Sequence, residues 1–187
     1  MTEALAKPLG PWTLADLAAR PDDGQRYEII DGSLLVSPPP TVLHQAIADR
    51  LHRLLRAAAG PAFEVLEGVG VQLANGVLIP DVLVAHTAAV WSGRSLLVPA
   101  DLLLAVEVVS PSSATTDRVT KLTLYAAAGI PAYWRVELEG AEAPSIVTYR
   151  LSGAAYVEQA TASADDVVSL DWPLVVELAP ATWLPHR

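Results

Sequence analysis

Two acidic residues stand where apolar strands should exclude them. Glu107 interrupts LLLAVEVV (102–109), a run otherwise of Leu, Ala and Val that reads as a strand covered on both faces. Asp81 lies in VLIPDVLVA (77–85), among aliphatic residues and directly after Pro80. A proline in a strand signals an edge or a bulge, and bulges re-aim side chains. A carboxylate buried alone is prohibitively costly, so each must be paired, protonated or bound to a cation. If the two strands are neighbours, their carboxylates converge and repel unless a proton or a cation lies between them. Hard oxygen ligands of this kind suit Mg²⁺ or Mn²⁺.

Lys121 adds a third element. It follows Asp117 by four residues on the helix expected after Glu107, so the two share a face. If that helix packs beside its strand, the ammonium reaches the carboxylates, where it could orient a water or stabilise developing phosphorane charge. The same spacing also describes an ordinary surface ion pair. Glu28, in YEIIDG, and His44, in the first turn of a long helix, each fit a plain solvent-facing role when read alone. His52, His86 and His186 show no metal-ligand spacing with His44. Ser110 and Ser112 lack a G-x-S-x-G setting, and no glycine-rich phosphate loop is present.

The elements that must position these residues are legible in outline. WTLADLAARP (12–21) reads as a short helix ended by Pro21. YEIIDGSLLVS (27–37) is a hairpin turning at Asp31-Gly32 and stopped by three prolines. Residues 41–59 carry Leu43, Ile47, Leu51, Leu54, Leu55 and Ala58 at helical steps, and Gly60-Pro61 closes the helix. Strands are expected at 63–73 and 77–85, joined at Asn75-Gly76, then at 102–109. Ser110-Pro111-Ser112-Ser113 is rich in capping residues and leads into a helix to about Ala128, ended by Gly129 and Pro131. AYWRVEL (132–138) is the next strand, parallel to 102–109 through that helix as a right-handed crossover. SIVTYRL, AAYVEQATA and VVSLDW read as an antiparallel meander. The expectation is an α/β fold with a mixed sheet, as one domain over 1–187.

Composition narrows the function classes. At 52% apolar residues the 187-residue chain can bury a sizeable core, and with no cysteine it has neither disulfides nor a thiolate zinc site. No basic stretch precedes an apolar segment at the N-terminus and no apolar run is long enough to cross a bilayer. A soluble, cytoplasmic protein is expected. The net charge of −9 argues against wholesale nucleic-acid binding, although Arg50, Arg53 and Arg56 cluster on one helix. That cluster fits a solvated helix face or a local phosphate-facing patch.

Four blocks carry a resemblance: YEIIDGSLLVSPPPTVLHQ (27–45), IPDVLVA (79–85), EVVSPSSATTDRVTKLTLYAAAGIPAYWRV (107–136) and the closing LDWPLVVELA. With E-V-x-S-P-S-S followed by D-x-x-x-K-x-x-x-Y-x-x-x-G-I-P-x-Y-W, the chain resembles the Uma-two-type restriction endonuclease family of bacteria, a branch of the PD-(D/E)XK nucleases. The resemblance implies a restriction-endonuclease-like αβββαβ core with an N-terminal hairpin and a C-terminal meander. It implies a metal-dependent endonuclease acting on nucleic acid, DNA above all. Asp81 and Glu107 would hold Mg²⁺ or Mn²⁺, Lys121 and Glu28 would complete the catalytic set, and His44 and Asp117 would line the site. The superfamily's usual lysine slot is Val109 here, so Lys121 would act from the following helix. That departure, with the acidic charge, keeps a second class open: a non-catalytic binding or assembly module on the same fold. Cleavage of both DNA strands by one site per chain would favour a two-fold dimer. A paired-carboxylate glycosidase would need an aromatic-lined cleft, and only Trp91 lies near the site in sequence.

Overall fold

The computed structural model describes residues 10–20, 23–110, 114–140 and 143–184. The expected helix stop at Pro21, the capping residues Pro111, Ser112 and Ser113, and His186 lie outside the described residues.

The chain opens with α1 (Leu14–Ala18), whose N-cap Thr13 and Asp16 bond each other's backbone N–H groups in a capping box. β1 (Arg26–Ile30) and β2 (Ser33–Ser37) form the expected hairpin. Its turn needs two positive φ angles, met by Asp31 at 47° and Gly32 at 75°. α2 (Val42–Ala58) is N-capped by Thr41, which accepts from the His44 N–H at 3.2 Å. Its buried stripe is His44, Ile47, Ala48, Leu51 and Leu55, while Leu43, expected inside, is 45% exposed. The three large aliphatic residues of that stripe stabilise the packing by about 1.5–3 kcal/mol each. Arg53 pairs with Asp49 and Arg56 with Glu64 on the outer side, the solvated face of the two alternatives above.

The next region departs from expectation. Each of the two strands foreseen at 63–73 and 77–85 is broken in two: β3 (Phe63–Glu67) and β4 (Val71–Leu73), then β5 (Gly76–Leu78) and β6 (Val82–His86). Gly68, at a φ of 65°, breaks the first run, and Ile79-Pro80-Asp81 the second. Consequently the Asn75-Gly76 hairpin, β4–β5, joins β1 and β2 in a sheet of order β2-β1-β5-β4, while β3 and β6 pair in another. α3 (Thr87–Val90) and a short 3-10 turn lead to β7 (Leu102–Val109).

After β7 the helix is not regular. Thr116–Lys121 winds as a π-helix between a short α-helical start at Ala114 and Thr115 and α4 (Leu122–Ala127). β8 (Ala132–Glu137) returns parallel to β7, as the crossover required. β9 (Ser145–Ser152) and β10 (Ala155–Ala162) extend the sheet antiparallel, giving the order β10-β9-β8-β7-β6-β3. The expected third strand of the meander leaves it: β11 (Val168–Leu170) pairs with β12 (Val176–Leu178) in a separate ribbon.

The central sheet is covered on both faces. Val82, Val84, Val106 and Val108 point to the α2 side, with Trp134, Leu51 and Leu55. Leu83, Ala85 and Ala105 point the other way, towards Tyr125, Ile130 and Tyr133. This explains why β7 shows no polar alternation.

Candidate functional site

Alternation along the strands sets which carboxylates can meet. Val82 pairs with Val106 across β6 and β7, so one step further along the antiparallel pair Asp81 stands beside Glu107. Glu107 shares parity with Ala105 and so lies on the α4 side of the sheet, whereas Asp81, just outside β6, meets His44 of α2 and the Val108 N–H. The Val108 N–H donates to Asp81 Oδ2 at 2.8 Å, tying the two strand ends together where Pro80 has interrupted the ladder.

Lys121 enters from the π-helix. Its Nζ lies 3.0 Å from Glu107 Oε1, 3.1 Å from Glu28 Oε1 and 3.5 Å from Asp117 Oδ1. Lys121 and Asp117 are 3% and 2% exposed, which overturns the surface-pair alternative. Inserted π turns recur at functional sites, and here the turn delivers the site's ammonium. Glu28, 1% exposed, is equally far from the solvent-facing role its hairpin suggested. Its Oε1 accepts the Ile79 N–H at 2.7 Å, so it also anchors the bend between β5 and β6.

Two groups were given no role from the sequence, although Tyr125 is the tyrosine of the quoted D-x-x-x-K-x-x-x-Y block. The Tyr125 hydroxyl donates to Glu107 Oε1 at 2.7 Å, and Arg26 Nη1 lies 2.6 Å from Asp81 Oδ1. Tyr125 follows Lys121 by four residues, one helical turn, a spacing that could have flagged it. Arg26, at a strand's first position before an aromatic residue, gives no such signal. His44, from the first turn of α2, brings Nε2 to 3.2 Å from Asp81 Oδ2.

Apart from Tyr125, these side chains line one cavity of about 270 Å³, whose walls also include Pro38, Pro39 and Pro40. Glu28, His44, Asp81, Glu107, Asp117 and Lys121 all reach it. No aromatic ring is among its walls within the described residues, and the exposed Trp91 lies elsewhere, which removes the basis for a sugar cleft.

The electrostatics are uneven. Burial alone would raise the Asp81 carboxyl, but the His44 hydrogen bond and the Arg26 charge outweigh it and hold Asp81 well below the usual range. Glu107 goes the other way: burial pushes it well up, Lys121 opposes, and Asp81 and Asp117 add repulsion. Burial would lower the Lys121 ammonium, yet Glu107, Glu28 and Asp117 raise it above its ordinary value. A simple ion pair would lower its acid; Glu107 rises because burial outweighs an ammonium that is shared among three carboxylates. Burial would also lower His44, but its bond to Asp81 and that group's charge raise it.

The donor set therefore offers four carboxyl groups alongside two cations, Arg26 and Lys121. All its donors are oxygens or imidazole, with no thiolate, which fits a hard divalent ion. Among the described residues no group of three His, Cys, Asp or Glu side chains is arranged around one ion. A site of two carboxylates completed by waters and substrate oxygens is the arrangement Mg²⁺ favours.

Known proteins share the family and the fold. The family model Uma2, "Putative restriction endonuclease", matches residues 14–181. A putative nuclease belonging to DUF820 from Anabaena variabilis has a crystal structure that superposes with a TM-score of 0.68 at 18% identity. The match covers 86% of this chain and 89% of that one, and at that identity it shows a shared fold. No curated protein matches the sequence.

Proposed function

Because the chain belongs to the Uma2 family of restriction-endonuclease-like proteins, we infer that its buried carboxylate cavity hydrolyses phosphodiester bonds of nucleic acid, DNA first, with a divalent metal ion. The observation that carries this reading is that Asp81 and Glu107, from the adjoining ends of β6 and β7, line one cavity with the Lys121 ammonium. Asp81 and Glu107 are the residues that would hold Mg²⁺ or Mn²⁺. Such an ion supplies Lewis-acid polarisation of the phosphate and a more acidic water.

The chain's own residues do the rest. Lys121, held between Glu28 and Glu107, is positioned to orient the attacking water and to offset charge as it builds on phosphorus. Tyr125 fixes the Glu107 rotamer, leaving that carboxylate few alternatives. Glu28 holds both Lys121 and the bend that presents Asp81. His44 and Asp117 complete the walls. The triple proline narrows the entrance with a rigid backbone, so a strand of nucleic acid would approach along one side.

The test is cleavage of duplex DNA, single-stranded DNA and RNA in Mg²⁺ and Mn²⁺ by wild type, D81N and E107Q, with circular dichroism to show retained folding. Wild-type cleavage lost in both variants is expected. Equal cleavage by all three proteins refutes the assignment.

One observation favours a second reading. Asp81 is paired with Arg26, His44 and the Val108 N–H, and Lys121 with Glu28 and Glu107, so the charged groups already have partners within the protein. A binding or assembly module that keeps the nuclease fold would look like this. Mn²⁺ binding by calorimetry without cleavage of any of the three substrates selects it.

A further inference from the structure

Arg26 stands at a point of conflict. Its guanidinium holds Oδ1 of Asp81, the carboxylate assigned to a metal ion under the reading above. Two cations on one oxygen repel, so the metal and the guanidinium compete for Asp81. The arginine is the more accessible of the two partners. Its side chain is 28% exposed, against 6% for Asp81, and it starts β1 at the cavity wall instead of lying beneath it. Its Nε–H is buried and has no hydrogen-bond partner.

Arg26, His44 and Asp81 also line a second cavity of about 240 Å³, which adjoins the first. Arg26 therefore borders two adjoining spaces. A planar guanidinium with a spare N–H matches the oxygens of a phosphate, and unlike an ammonium it binds two of them at once. A donor buried without a partner is unfavourable, which is a reason to expect a ligand for it.

We propose that Arg26 is the resident counter-ion of Asp81, displaced when a divalent cation binds, and that the released guanidinium grips a phosphate of the nucleic acid. The inference rests on the metal-dependent reading and extends it to how substrate is held. It makes two demands of opposite sign. Removing the guanidinium removes a competitor for the metal, and it removes a contact to the substrate. A residue that only supports the fold would move both affinities the same way, or neither.

The experiment uses the full chain as wild type, R26Q, R26K and D81N. Mn²⁺ binding is measured by calorimetry, and binding of labelled DNA and RNA oligonucleotides by fluorescence anisotropy in Ca²⁺. R26Q is expected to bind Mn²⁺ several-fold more tightly and the better-bound oligonucleotide about tenfold more weakly, the size of one charge-assisted contact. R26K keeps the charge but not the fork, so its Mn²⁺ affinity should stay near wild type while oligonucleotide affinity falls. Weakening of both ligands in R26Q, or of neither, overturns the proposal while leaving the metal reading intact. Should R26Q fail to fold, R26K decides, and behaviour identical to wild type with both ligands overturns it. Wild type that binds no Mn²⁺, or D81N that binds it equally well, removes the metal reading itself and this inference with it. Wild type that binds Mn²⁺ but neither oligonucleotide overturns the phosphate contact.

Discussion

Lys121 Nζ lies 3.0 Å from Glu107 Oε1, and both residues are almost fully buried, at 3% and 1% exposure. The pair joins a helix to a strand across fourteen residues of sequence and holds the two sides of the cavity together. Removing the ammonium alone leaves the Glu28 and Glu107 carboxyl groups buried without the partner they share. K121M should therefore cost about 3–5 kcal/mol of stability. Neutralising the acids as well, in E28Q/E107Q/K121M, should recover most of that loss. Urea denaturation of the three proteins measures both; a triple variant no more stable than K121M would contradict the charge argument.

A bound ion should announce itself without any substrate. Mn²⁺ at a hundredfold excess over its dissociation constant stabilises a one-site protein by about 2.7 kcal/mol. A clear rise in Tm is expected for wild type and none for D81N or E107Q, and addition of EDTA should reverse it. Equal shifts in all three proteins would place the ion elsewhere.

Glu137, on β8, grips the π-helix from outside: Arg118 Nε and Nη2 donate to its two oxygens at 3.0 and 2.7 Å. Burial would raise the Glu137 carboxyl, but Arg118 and Arg135 outweigh it and the folded value lies below the ordinary 4.5. An acid lowered on folding stabilises above its unfolded pKa and loses that contribution as pH falls through its folded value. With Arg118 47% exposed, the effect is at most about 1 kcal/mol. The difference in urea midpoint between wild type and E137Q should be present at about pH 7 and absent at about pH 2, where the carboxyl is protonated. A difference that persists in acid would mean the pair acts through packing instead.

Gly76 opens β5 against β1, and a Cβ there would lie 2.0 Å from the Ile29 carbonyl oxygen. The contact is backbone, so no side-chain rotation relieves it. G76A should destabilise the protein by at least about 1–3 kcal/mol. It should also reduce any cleavage activity, because β1 carries Arg26 and Glu28. Thermal melting and the cleavage assay check the two effects together.

The parts of this fold that are legible in sequence are those where composition conflicts with location. Glu107 within a Leu-Ala-Val run and Asp81 after a proline were conspicuous because burial of a lone carboxylate has few solutions. The parallel β7–β8 crossover followed from the order of elements. What stayed hidden depends on contacts distant in sequence. The divided strands around Gly68 and Pro80 became intelligible only with the second sheet in view, since the need for Gly76 arises from Ile29, far away in the chain. Arg26 resembled any strand-end arginine until Asp81 was seen beside it. Glu28 looked solvent-facing because a hairpin seen alone has no cover, and here the π-helix provides it.

That π-helix also sets how the chain tolerates changes in length. Each residue of an α-helix adds a rotation of roughly 100° and each residue of the wider π turn somewhat less, so excising Arg118, Val119 or Thr120 would swing the ammonium off its carboxylates while every candidate site residue remained in the sequence. Spacing in this segment is thus a determinant in its own right. A homologue shortened there by a single codon would keep every residue of the motif and still lose the geometry.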